Sequence, residues 1–240
     1  MGTIENAPMK KLPNFLIVGA AKSGTTSLHY YLQQHPEVFL PTTIKETFFF
    51  SQPQSVLGKG PGRDGADMIT NKDDYVQLYA DATSSHKALG EACVAYLHFH
   101  EESIPNIQKL LSKPKILIIL RNPVDRAYSN YLHHARDDFE PLTFEEALEA
   151  ESERLKKKWW WGYQFTDAGL YSDQVAAYLQ NFDDVKICLF EDFKKDVDGF
   201  LRETFKFLGV DSSFQADTSL RYNVTGVPKS KLVRDVIKQP

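Results

Sequence analysis

The chain has 240 residues, 42% of them hydrophobic and 25% charged, with a formal net charge of -4. This is enough apolar material for one soluble globular domain with a sizeable core. The slight acidic excess argues against nucleic-acid binding, yet an average over the whole surface leaves room for a local basic pocket.

In chain order, Asn14 to Gly19 (NFLIVG) is a nearly continuous apolar run ending in Gly, the pattern of a parallel strand buried on both faces. A Gly/Ser/Thr loop follows. Leu28, Tyr31 and Leu32 then keep helical spacing until His35-Pro36 stops the helix. Val38 to Leu40 is a second strand candidate, and the Gly- and Pro-rich stretch Gln52 to Lys72 reads as a long surface loop. Lys115 to Leu120 (KILIIL) repeats the buried-strand pattern, with Pro123 suited to the first position of the next helix. Along that helix Val124, Ala127, Tyr128, Tyr131 and Leu132 form an apolar stripe expected to face the core. Thr143 with Glu146 predicts a capping box opening one long helix toward Lys158. Val185 to Phe190 (VKICLF) is a third buried-strand candidate. Phe200, Phe205, Phe207 and Leu208 lie on a last helix that Gly209 would cap. Alternating strands and helices of this kind predict an α/β fold: a three-layer sandwich with a central parallel sheet flanked by helices, one domain over 1–240.

Gly19-Ala20-Ala21-Lys22-Ser23-Gly24-Thr25-Thr26 joins the first strand to its helix. Such a turn offers backbone N–H groups and the positive end of a helix to an anion, and here Lys22 and the threonine hydroxyls add to it. Without a second anion-binding group the same turn would serve equally as a helix cap with a surface lysine. It is not a Walker A loop, because Lys22 precedes Gly24 instead of following it. KILIIL runs into Arg121, where a nucleotide hydrolase would place an Asp for Mg²⁺. The pair of features suits a donor with two anionic groups and no metal.

VGAAKSGTTSLHYYLQQHP, KETFFF, GEACVAYL, ILIILRNPVDRAYSNY and GLYSDQVAAYLQNF follow one another in an order that resembles sulfotransferases dependent on 3′-phosphoadenosine-5′-phosphosulfate (PAPS). The likeness is to bacterial members and to the heparan sulfate N- and O-sulfotransferase branch, with a P-loop-like fold, from about Asn14 to Lys231. It implies that Lys22, Ser23, Gly24, Thr25, Thr26 and Ser27 hold the 5′-phosphosulfate and that Arg121 and Ser129 hold the 3′-phosphate. It further implies that Glu46 is the catalytic base, that Lys22 stabilises the departing phosphate, and that Lys229 and Lys231 belong to a basic loop closing over the nucleotide. PAPS is then the sulfuryl donor, PAP the product, and no metal is required. The acceptor would be a small molecule, a lipid or a carbohydrate. Related O-sulfotransferases carry His two residues after the base, whereas Phe48 stands here. The family usually continues beyond Pro240, which implies a short member or a truncated chain.

Several residues keep two readings. Glu46 either acts as base or pairs with Lys45; Arg126 is expected in an ion pair with Asp125 or a neighbour, the other reading being a direct contact to the ligand; Ser129 alone would read as an exposed helical serine. Glu91 and Tyr96 either border the acceptor cleft or make a structural hydrogen bond. Trp159-Trp160-Trp161 either form an aromatic wall or pin a helix end, with at least one facing a cleft or interface. The seven histidines lack metal spacing and read as surface residues. Cys93 and Cys188, far apart in apolar surroundings, read as buried free thiols. No run is long enough to span a bilayer and the start has no secretory h-region, so a cytoplasmic protein without nucleic-acid partners is expected. The competing functions are a P-loop nucleotide kinase or NTPase and a non-catalytic nucleotide-binding module.

Overall fold

A computed structural model of the chain describes residues 11–51, 58–62 and 68–220. Among these the elements run β1 (Phe15–Gly19), α1 (Thr25–Gln33), β2 (Val38–Phe39), α2 (Lys72–Gln77), β3 (Ala88–Ala92), α3 (Ala95–His98), α4 (His100–Leu110) and β4 (Lys115–Leu120). They continue with α5 (Pro123–Arg136), α6 (Phe144–Glu149), α7 (Glu151–Lys156), α8 (Tyr171–Asn181), β5 (Val185–Leu189), α9 (Phe190–Lys195) and α10 (Val197–Leu208). The strands form one parallel sheet in the order β2-β3-β1-β4-β5.

Successive side chains of a strand point to opposite faces, and both faces of the central strands are dry. On β1 and β4, Leu16, Val18, Ile116 and Ile118 enter one apolar cluster, while Phe15, Ile17, Leu117 and Ile119 enter the other. Helices cover each face, which is why those two strands read as unbroken apolar runs. The chain winds from β1 toward β3 on one side, and from β4 toward β5 on the other. The β1/β4 boundary is therefore the point where strand order reverses, and a crevice opens there beyond the carboxyl ends of the strands.

β3 (ALGEA) was not expected, because Gly90 and Glu91 break its apolar pattern. Gly90 is required there: a Cβ would lie 2.1 Å from the Phe15 ring on the neighbouring strand. Glu91 is buried and accepts hydrogen bonds from Thr47 Oγ1, Tyr75 OH (2.6 Å) and Tyr96 OH (2.6 Å). Burial pushes its carboxyl above the ordinary range, opposed by the three hydroxyl donors. Glu91 and Tyr96 thus make the structural hydrogen bond, and neither reaches the cleft.

Other expectations are corrected. β5 is an edge strand with one neighbour, so it is half-exposed, and Cys188 on it is half-buried while Cys93 is buried. The Thr143–Glu146 capping box forms, but the helix behind it is broken at Ala150 into α6 and α7. Separate polar ties hold α7: Arg154 meets Glu140 in a bidentate pair (2.5 and 2.9 Å), and the Glu151 carboxylate accepts the Thr166 and Asp167 N–H groups. Arg126 makes no ion pair among the described residues. Its side chain turns inward, fully buried, and donates to the Phe165 carbonyl while Asp125 stays exposed. His29, His35 and His134 are buried, not on the surface. His35 illustrates the reason: both ring nitrogens have backbone partners, the Asp211 carbonyl (2.9 Å) and the Glu37 N–H (3.0 Å), so it is buried with its hydrogen bonds satisfied.

Candidate active site

The crevice at the β1/β4 boundary deepens into a cavity of about 730 Å³. Its floor is the loop from Ala20 to Gly24. Lys22 (φ 66°) and Gly24 (φ 84°) are both left-handed, which turns the chain sharply into α1. A Cβ at Gly24 would also lie 2.9 Å from the Phe190 ring and 3.1 Å from Phe193, so no other residue fits without displacing them. Gly24 gives α1 no side-chain cap, and Thr25, Thr26 and Ser27 in its first turn line the cavity together with Lys22. That is a helix N-terminus presented to an anion. Ser23 is fully buried and is not among the lining residues.

Arg121 leaves the end of β4 and enters the same cavity. Its Nη1 donates to the Lys22 carbonyl at 3.0 Å, and its guanidinium stands 4.9 Å from the Phe190 ring centre. Tyr171 OH holds the Arg121 carbonyl at 3.1 Å. The two basic residues, far apart in sequence, are thus brought together. Burial, then Arg136 and Arg121 nearby, lower the Lys22 pKa to about 8.

Asn122 caps α5 by accepting the Val124 and Asp125 N–H groups (3.0 and 3.3 Å), with Pro123 in the first turn. The expected apolar stripe faces inward only in part: Ala127 is buried in an apolar cluster against which Tyr131 packs, but Val124 is 67% exposed and Tyr128 47%. The rest of the buried face carries Arg126, Ser129, Asn130 and His134, because this side of α5 forms a cavity wall. Ser129, which alone would read as an exposed helical serine, is therefore buried and lines the cavity. Asn130 Nδ2 and His134 Nε2 both reach the Gly162 carbonyl (2.8 and 2.9 Å), fixing the Trp160–Gly162 segment beside them. His133 also lines the cavity, and burial holds both histidines neutral with pKa values of about 4. These polar positions, spaced at i, i+1, i+4 and i+5, were visible in the sequence as the helix's second face.

Glu46 pairs with Lys45 at 2.5 Å and also lines the cavity. The triple tryptophan divides as well. Trp159 packs against the Gly58–Gly60 backbone and Arg154, pinning the end of α7, whereas Trp160 and Trp161 line the cavity. Phe190, Phe193 and Lys194 complete the wall near Arg121, a contribution of α9 that the sequence did not suggest. Lys229 and Lys231 lie outside the described residues. Among the described residues there is no group of three His, Cys, Asp or Glu suited to a metal, and no helix is long and apolar enough to cross a membrane.

A parallel α/β sheet with a glycine-containing turn after its first strand and an arginine at its switch point has the architecture of a P-loop-like protein. Residues 12–231 match the family described as the sulfotransferase domain, and the chain belongs to that family of transferases. It is 28% identical over 225 residues to the human bifunctional heparan sulfate N-deacetylase/N-sulfotransferase 2, covering 89% of this chain and 24% of that protein. The chain thus spans about a quarter of the length of the curated relatives it matches. A sulfotransferase structure from Alicyclobacillus acidocaldarius is 42% identical with a TM-score of 0.83, over 88% of this chain and 86% of that one. Mouse sulfotransferase SULT7A1, solved with PAP, shares the fold at 18% identity and a TM-score of 0.52, over 86% and 60% of the two chains.

Proposed function

We propose that this chain transfers a sulfuryl group from PAPS to a hydroxyl or amine by in-line displacement. One observation carries the reading: Lys22, the first turn of α1, Arg121 and Ser129 converge on a single cavity that Glu46 also enters. In this reading the loop and Lys22 bind the 5′-phosphosulfate, and Arg121 with Ser129 binds the 3′-phosphate. Glu46 takes the acceptor proton as the acceptor oxygen or nitrogen forms its bond to sulfur. The bond from sulfur to the bridging phosphate oxygen breaks, PAP leaves, and Lys22 neutralises the charge growing on that oxygen. PAPS and PAP are substrate and product, and the chemistry asks for no metal.

The test is calorimetric titration with PAP and with ADP, which differ in where the second phosphate sits. PAP is expected to bind at least ~10-fold more tightly, a margin of ~1.4 kcal/mol, and Arg121→Ala is expected to abolish the preference. Equal affinity for the two nucleotides would favour a kinase-like or general nucleotide-binding protein instead.

A further inference from the structure

The cavity has two unlike ends. Tyr31, Phe190, Phe193 and Val197 belong to one apolar cluster of the fold; Phe48, Met68, Val94, Trp160 and Trp161 belong to the other. Among the described lining residues the lysines and arginines are Lys22, Arg121 and Lys194. Arg121 and Lys194 both lie over the Phe190 ring (4.9 and 5.8 Å) at the first end, whereas the Lys22 side chain, near enough to interact with both Arg121 and Glu46, stands between the two ends. Beyond Lys22, no lysine or arginine among the described lining residues belongs to the second end. Two cations close to it are already matched, Lys45 by Glu46 (2.5 Å) and Arg136 by Asp137 (2.8 Å).

The second wall is also fixed in place. Trp160 spends its indole N–H on the Pro61 carbonyl (3.0 Å), which leaves its rings as the exposed chemistry, and Trp161 stacks on His98 at 5.6 Å. Asn130 and His134 hold the Gly162 carbonyl beside them. Phe48 follows Glu46 by two residues and is held at φ 56°, a backbone state that bulky side chains rarely adopt. Its carbonyl is gripped by the Ser51 N–H and Oγ (3.2 and 3.1 Å). Strain maintained at a cavity wall beside the proposed base points to a use for that ring.

We propose that this end of the cavity is the acceptor subsite and that it takes a neutral, flat apolar molecule bearing a hydroxyl, a phenol-like acceptor, in place of an anionic polysaccharide. The inference rests on the donor reading above and extends it to the acceptor. An acidic sugar polymer would bring charges and many hydroxyls against rings and a thioether, with no lysine or arginine beyond Lys22 among the described residues lining that end to compensate. An aromatic body would stack on Trp160 or Phe48 and lose only apolar surface to water. Its hydroxyl, aimed at Glu46, would give up its proton there and take the sulfuryl group.

The test supplies PAPS and either 2-naphthol or N-desulfated heparin, and follows sulfated product by mass. The value of kcat/KM is expected to favour 2-naphthol by at least ~100-fold. Trp160→Ala is expected to raise the KM for 2-naphthol at least ~10-fold with PAP affinity unchanged. Trp160→Phe, which keeps a ring, is expected to restore most of it, separating a lost contact from a lost fold. Sulfation of the polymer as well as or better than 2-naphthol, no turnover of 2-naphthol by protein that binds PAP, or an unchanged KM in Trp160→Ala overturns the subsite. Failure of the wild-type chain to bind PAP overturns the donor reading itself, since that titration involves no acceptor.

Discussion

Lys22 is a lysine whose charge depends on pH within a range that solution experiments reach. Burial and two arginines bring its pKa down from 10.5 to about 8. A phosphate bound against it favours the charged form and raises that value in the complex. Donor affinity is therefore full below about pH 8 and declines as pH rises above it, by up to ~10-fold per pH unit, until the complex's own higher pKa is passed. Titration with PAP from about pH 7 to about pH 9.5 should show that slope, and Lys22→Arg should flatten it. A constant affinity across the range would mean that Lys22 does not meet the phosphate. Glu46 answers to a different measurement. Glu46→Gln should bind PAP as the parent does yet turn over ~100-fold more slowly or worse; a rate equal to the parent's would remove it from the chemistry.

At the scale of elements, α5 organises the wall that holds Ser129, Asn130, His133 and His134. Its start depends on Asn122, whose side chain accepts two first-turn N–H groups. Asn122→Ala should cost about 1 kcal/mol, read as a lower denaturant midpoint, and Asn122→Asp should recover most of it. The position of this helix was legible, because Pro123 and the helical spacing after it mark a start and a period. Its orientation was legible only in part. Apolar spacing normally reports the face turned to a core, and Ala127 and Tyr131 do pack inward, but the rest of the inward side of α5 meets a cavity and is polar, leaving Val124 and Tyr128 outside. β3 was missed for a related reason: Gly90 and Glu91 interrupt its apolar run, and only the fold brings the hydroxyls of Thr47, Tyr75 and Tyr96, from three other segments, to Glu91. Contacts of that kind lie beyond any local pattern.

For the molecule as a whole, the alternation of strands and helices was enough to foresee a parallel sheet, because β1 and β4 are buried on both faces and say so in their composition. The edges were harder. β5 has one neighbour and half-exposed side chains, yet its sequence is as apolar as a central strand. For the site, the turn around Lys22 and the strand end at Arg121 were both singled out from the sequence and both line the cavity, whereas α9's contribution of Phe190, Phe193 and Lys194 carried no motif of its own. The hydrogen bond from Arg121 to the Lys22 carbonyl joins positions 99 residues apart, across the gap between two crossover units. The entropy of closing so long a loop is settled while the chain folds, before any nucleotide arrives. The donor proposed above would therefore meet a socket already latched, and little of its affinity would be consumed in assembling one. The same latch makes the socket hostage to β4: damage to that strand, even far from the cavity, would loosen the grip on nucleotide while the rest of the sheet still stands.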